Sequence, residues 1–227
     1  MCGRYTLRTR RSAKFYGVPA SGLPFLVPRF NIAPSQDVPA IVASGARREF
    51  ALFQWGLIPS WSKEPKGFIN ARAETLEAKP SFSESFQRRR CLIPADGFYE
   101  WKRNGKFKQP YFFQMQDESV FAFAGIWDRW QGTAGSTSSC AIITTTPNEL
   151  LATIHDRMPV ILNPKAQEMW LRQDALPGEL KTILVPFPGS EMKSFPVSPR
   201  VNGPEADDAQ LVEEVAIRHE PTTGLLF

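Results

Sequence analysis

The dipeptide Asn104-Gly105 separates two runs that are apolar or alternating, CLIPADGFYEWK before it and PYFFQMQ after it. Asn-Gly accepts the left-handed backbone of a two-residue hairpin turn, so strands joined here fold back on each other. This commits the middle of the chain to antiparallel pairing. Other runs extend the pattern. VPAIVAS and REFALFQWGLIP read as two strands joined through Gly45, and VFAFAGIWDRW, CAIITTT and MPVIL as further strands. Short helices are expected at residues 8–16, in AKPSFSESFQRRR with a cap at Ser81, in PNELLATI, and in NPKAQEMWLRQ with Asn163 as cap and Pro164 in the first turn. PFLVPRFNIAPSQ, punctuated by proline, reads as an irregular loop around Asn31 and Pro34. Strands and helices interleave without a βαβ rhythm. The expected fold class is therefore α+β, a single domain over residues 1–227 built on a mostly antiparallel, barrel-like sheet with short flanking helices.

Composition limits the function classes. The 227 residues, 42% hydrophobic and 22% charged, suit a soluble globular domain with a sizeable core. Lys+Arg 27 against Asp+Glu 23 is mildly basic, which permits a nucleic-acid partner without demanding one. Arg10-Arg11 and Arg88-Arg89-Arg90 are the charge runs, and each also reads as a solvated face. Cys2, Cys91 and Cys140 cannot all pair, and with only His155 and His219 beside them they show no metal-ligand spacing. No disulfide framework, metal or other cofactor is expected. No apolar run reaches membrane-spanning length and no apolar leader opens the chain, so a cytoplasmic protein with no membrane partner is expected.

Four stretches set polar residues inside apolar runs. The first is MCGR: removal of Met1 leaves Cys2 with an α-amine and a thiol on adjacent carbons. The second is GFINARAET, where a strand reading puts Asn70, Arg72 and Glu74 on one face. In the third, CLIPADGFYEWK, Glu100 sits between Tyr99 and Trp101. It is either an edge-strand carboxylate facing water or a desolvated one with a raised pKa, suited to proton transfer. In the fourth, TIHDRMP, His155 stands where a helix runs into a strand, as a loop histidine or a proton-transfer group. Thiol, carboxylate and imidazole together are also the parts of a cysteine hydrolase. Cys91 and Cys140 adjoin apolar strands and are expected to be buried, whereas Cys2, near a chain end, is expected to hold little of the core.

In this order, MCGRY, FNIAPSQ, WGLIPSW, INARAET, CLIPADGFYEWK and IHDRMPVIL resemble the SOS response-associated peptidase (SRAP) family. The resemblance covers about residues 2–200 and leaves a variable C-terminal tail. It implies capture of abasic sites in single-stranded DNA through a covalent bond to the N-terminal cysteine, and a thiol autopeptidase or lyase activity, including self-removal of Met1. Carried over by motif, Cys2 is the nucleophile, Asn70 holds the N-terminus, and Glu100 and His155 move protons. Arg4, Arg72 and Arg157 face the DNA backbone. Asn31, Pro34, Trp61 and Thr144 line the DNA or the site. A second tryptophan common beside Trp61 in relatives is Ser62 here, so a stacking role in that loop is not carried over.

The chemistry explains the residue types. An α-amine with a pKa of about 7.7–8.0 is partly neutral at pH 7, whereas a lysine amine at about 10.4 is not. The amine attacks the open-chain aldehyde of an abasic site, and the thiol then closes a five-membered thiazolidine. Only a terminal cysteine offers both groups. Two further readings use the same residues: a cysteine peptidase acting on peptides, and a non-covalent module that binds single-stranded DNA or a modified base. A monomer is expected, and the C-terminal TTGLLF reads as a replication-clamp motif or a plain apolar tail.

Overall fold

The computed structural model describes residues 2–8, 27–45, 47–105, 107–133 and 135–217. All but the first residue of the helix expected at residues 8–16, and the whole TTGLLF tail, lie outside the described residues. Two sheets carry the molecule. The first has the order β13-β8-β7-β1-β2, with β1 Arg4–Leu7, β2 Arg29–Ile32, β7 Gly97–Asn104, β8 Phe107–Met115 and β13 Met192–Pro196. The second is a barrel of β3 Asp37–Ser44, β4 Arg47–Trp55, β6 Arg90–Ala95, β9 Phe121–Gly132 and β10 Gly135–Thr145. The pairings β4–β3, β3–β6, β6–β9, β9–β10 and β10–β4 return to their start, so this sheet closes and hides its edges. Most of these pairs are antiparallel; β10 runs parallel to β4. Three short strands extend the barrel: β5 Asn70–Arg72 and β11 Met158–Pro159 on β10, and β12 Ile161–Leu162 on β9.

The hairpin forms, with its turn one residue later than a two-residue Asn-Gly loop would put it. Asn104 pairs with Phe107, and Gly105 takes φ 58°, open to glycine at little cost. Gly45 does the same at φ 60° between β3 and β4. CLIPADGFYEWK, read as one run, is two strands of different sheets. The break is Asp96, 2% exposed, whose carboxylate accepts from Thr6 Oγ1 at 2.6 Å, Arg8 N at 2.5 Å and Arg8 Nε at 3.0 Å. A buried carboxylate needs such donors, and here they come from the end of β1, pinning that strand beside β7.

Other local expectations are corrected. The proline-rich run around Asn31 is not wholly irregular: Arg29–Ile32 pairs with β1, and the turn comes at Pro34-Ser35, where Ser35 has φ 70°. Helix α1 covers Ser83–Arg88 with Phe82, not Ser81, at its N-cap and no side-chain cap bond. MPVIL splits, because Met158 pairs with β10 and Ile161 with β9. Helix α2 is Glu149–Ala152, capped by the Asn148 side chain, and α3 is Pro164–Leu171 with the expected Asn163 cap accepting from Ala166 N. Helix α4 is Pro177–Thr182.

One core lies where the two sheets meet, with Tyr5, Trp55, Phe98, Phe113 and Phe123. Edge-on ring pairs such as Tyr5–Trp55 at 5.4 Å and Tyr5–Phe123 at 5.8 Å fill it. A second core, around Phe86 and Trp170, lies under α1, α3 and α4. Cys91 and Cys140 are fully buried beside strands, as expected. No helix among the described residues is long and apolar enough to cross a membrane.

Candidate active site

β1 pairs with β7 as Arg4 with Tyr99, Tyr5 with Phe98 and Thr6 with Gly97. The register carries the chain's first residues level with and just past Glu100, at the point where β7 loses its neighbour. Cys2 is fully buried in the core between the sheets, together with Tyr5 and Trp55. This corrects the expectation that a terminal residue holds little of the core. Its thiol donates weakly to the Arg4 carbonyl oxygen at 3.9 Å. Burial, and then the Glu100 carboxylate, push the thiol well above its ordinary pKa, so Cys2 rests as a thiol rather than a thiolate.

Asn70 reaches the same point from the barrel. The β5 segment runs parallel to β10, with Asn70 opposite Ile142, and Trp55 Nε1 donates to the Ile69 carbonyl at 2.9 Å to fix its entry. Asn70 Nδ2 then donates to the Cys2 carbonyl at 2.9 Å. Asn70 Oδ1 is buried with no partner among the described residues, an acceptor available to an incoming donor.

Glu100 is 1% exposed. Desolvation pushes its carboxyl up to about 7, which overturns the edge-strand reading of a carboxylate facing water. His155 follows α2, its backbone N–H on the Leu151 carbonyl at 2.9 Å. Its Nε2 lies 3.9 Å from Glu100 Oε2, and its Nδ1 accepts from Arg157 N at 3.1 Å and lies 3.0 Å from Asp156 Oδ1. Nε2 is the ring nitrogen that faces Glu100. Burial lowers the imidazole pKa from its ordinary value. Thiol, amide, carboxylate and imidazole thus come from the residue pair ahead of β1, from β5, from β7 and from the loop after α2. The carboxylate and the imidazole border a cleft of about 440 Å³ lined also by Arg4, Trp101, Arg103, Lys108 and Asn202. No cluster of metal-ligating side chains occurs among the described residues.

A family model described as SOS response associated peptidase (SRAP) matches residues 1–204. The chain belongs to the SRAP family. Its relatives include the abasic site processing protein YoqW of Bacillus subtilis, 43% identical over 192 residues that cover 82% of this chain and 86% of that protein. The abasic site processing protein YedK of Escherichia coli is 29% identical over 224 residues, covering 95% and 100%. The abasic site processing protein HMCES of Xenopus tropicalis is 31% identical over 210 residues, covering 77% and 62%. A crystal structure of a protein from Bacteroides thetaiotaomicron superposes with TM-score 0.85 at 30% identity, covering 95% of this chain and 100% of that one.

The residues that the SRAP resemblance assigns to DNA are placed unequally. Trp61 is 62% exposed in the loop after β4, Arg72 is exposed, and Pro34 is half-buried at its turn. Arg4 lines the cleft, but its guanidinium is held by Asn31 Oδ1 at 2.8 Å and by the carbonyls of Val201 at 2.6 Å and Asn202 at 3.0 Å. Asn31 is fully buried, its amide donating to the Gly203 and Ala206 carbonyls at 2.9 and 2.7 Å. It braces Arg4 and cannot itself line a surface. Thr144 is also fully buried. Arg157 is bound to Glu74 by two bonds of 2.7 and 2.9 Å and to the Thr144 carbonyl at 2.6 Å, so its charge is already answered. Nor does Glu74 share a strand face with Asn70 and Arg72. β5 ends at Arg72, and Ala73–Thr75 turns into a 3-10 helix that swings Glu74 to Arg157.

Sequence reasoning missed the brace beyond residue 198. Val201 and Leu211 are fully buried, and the Asp207 carboxylate accepts from Arg29 Nε at 2.8 Å and Asn31 N at 3.0 Å. Its sequence signal is slight: two apolar residues ten apart among prolines and glycines, with no period.

Proposed function

We propose that this protein captures abasic sites in single-stranded DNA as a thiazolidine on Cys2, after Met1 has been removed. The name shared by YoqW, YedK and HMCES supports the substrate class. The observation that carries the reading is that Asn70 holds the Cys2 carbonyl while a carboxyl near pKa 7 and a neutral imidazole stand at the same chain end.

The steps balance without a cofactor. The neutral α-amine attacks the aldehyde carbon at C1′ and gives a carbinolamine. Glu100, half protonated near neutral pH, supplies the proton with which the hydroxyl leaves as water, forming an imine. The Cys2 sulfur adds to the imine carbon, and its proton passes to the nitrogen. The net change is amine, thiol and aldehyde to thiazolidine and one water. His155, whose Nε2 faces Glu100, is suited to pass a proton to the sugar ring oxygen as the closed hemiacetal opens. A thiol held well above its ordinary pKa favours this order, amine first and sulfur second. A cysteine peptidase needs the thiolate at the outset.

The test is incubation with a single-stranded oligonucleotide bearing one abasic site, read on a denaturing gel. The reading expects an adduct that survives denaturant and is lost in Cys2→Ala. A complex seen only on native gels would support the non-covalent module instead.

A further inference from the structure

The distal stem of the β7–β8 hairpin carries two cations that the proposed chemistry does not use. Arg103 and Lys108 lie directly opposite each other in the register, and Lys102 adjoins them. Like charges on facing strand positions repel and weaken a hairpin. Neither Arg103 nor Lys108 has a hydrogen bond or ion pair from its side chain among the described residues, and both are exposed. Some surface arginines of this chain find carboxylates, as Arg29 finds Asp207 and Arg200 finds Asp208. Both unanswered cations border the cleft that holds Glu100 and His155.

We propose that Arg103 and Lys108 form a phosphate subsite that takes the backbone of the bound strand on one side of the captured sugar. The inference rests on the reading of the cleft as the DNA site. Arg103 stands three positions along the strand from Glu100, about 10 Å at roughly 3.3 Å per residue. That span is about three nucleotides of a stacked strand at 3.4 Å each, and fewer of an extended one. A phosphate between the two side chains removes their mutual repulsion and is met by charge-assisted hydrogen bonds. Arg4, tied to three acceptors, positions the neighbouring loop but has less left to offer a phosphate. The hairpin supplies the missing cations.

The test is Arg103→Gln with Lys108→Gln in one variant, titrated with abasic and intact single strands over a range of salt. One neutralised phosphate contributes about 0.7 to the slope of log K against log salt for single strands. The expected result is a slope shallower by about that amount and binding weakened about fivefold at 0.1 M salt. The crosslinking rate at saturating DNA should change less than twofold. The charge-keeping variant Arg103→Lys with Lys108→Arg should bind as wild type does. A variant of equal charge change on α1 and α3, Arg88→Gln with Lys165→Gln, should leave affinity and slope alone. An unchanged slope in the hairpin variant, or an equal fall in the α1/α3 variant, overturns the subsite. So does a fall in the saturated rate at unchanged affinity. If wild type gives no adduct but its binding still depends on the hairpin, the crosslinking reading fails and the subsite stands.

Discussion

Glu100→Gln should raise stability and lower activity, with a pH dependence that identifies the cause. The side chain is 1% exposed, and burial lifts its carboxyl from 4.5 to about 7. At about 1.36 kcal/mol per pKa unit that rise is worth about 3 kcal/mol. The folded protein keeps the proton up to about pH 7, whereas the unfolded chain releases it near 4.5. Folding is therefore favoured by the protonated carboxyl at low pH, and this contribution is lost as pH rises through about 7. Gln has the same size and no proton to lose. Thermal unfolding of both proteins should differ by less than about 1 kcal/mol at pH 4.5. By pH 8.5 the variant should gain about 3 kcal/mol, or about 6–12 °C in Tm for a domain of this size. Its crosslinking should slow by about 10²–10⁴-fold, the usual worth of a positioned proton-transfer group. A Tm difference that does not grow between the two pH values would mean that Glu100 has an ordinary pKa. The proton-transfer role would then lose its basis.

Three further outcomes follow from the geometry. Cys2→Ala should abolish the stable adduct and, because Cys2 is fully buried in the core, should also cost about 1 kcal/mol in denaturant unfolding; an adduct at the wild-type level would move the nucleophile elsewhere. His155→Ala should slow single-turnover crosslinking of a normal abasic site but not of an analogue held as an open-chain aldehyde, and an equal loss on both would put His155 at the imine step. Arg157→Gln should destabilise the fold by about 1–2 kcal/mol, since the Thr144 carbonyl and the Glu74 carboxylate lose their donor; a change in DNA affinity with unaltered unfolding would return Arg157 to the DNA.

Much of this was legible in the sequence where the signal is local. The hairpin after Asn104, the Asn163 cap and the apolar runs of the barrel are set by residues close in the chain, and they form there. Glu100 stood out as a carboxylate among aromatics, but two readings stayed open, because its surroundings come from far along the chain, from Cys2 and from the loop that carries His155. The break at Asp96 was hidden because its partners, Thr6 and Arg8, are about ninety residues away. Separations of 170 and 83 residues hid the fates of Asn31 and Arg157. Each looked like a polar residue offered to a ligand, and each is taken by a segment that no short window contains, residues 201–207 for the first and Glu74 for the second. The cations of the hairpin stem were unremarkable as letters. Only the register, which sets Arg103 against Lys108, makes them a site.

The central claim is that the α-amine and thiol of Cys2 together hold the DNA. The mass of the gel-purified adduct between the wild-type protein and a defined abasic oligonucleotide tests it most directly. The account predicts the mass of the chain without Met1 plus that of the oligonucleotide, less one water, with residue 2 as the modified position after proteolysis. An adduct that retains Met1, or one attached at Cys91, Cys140 or a lysine, would contradict it.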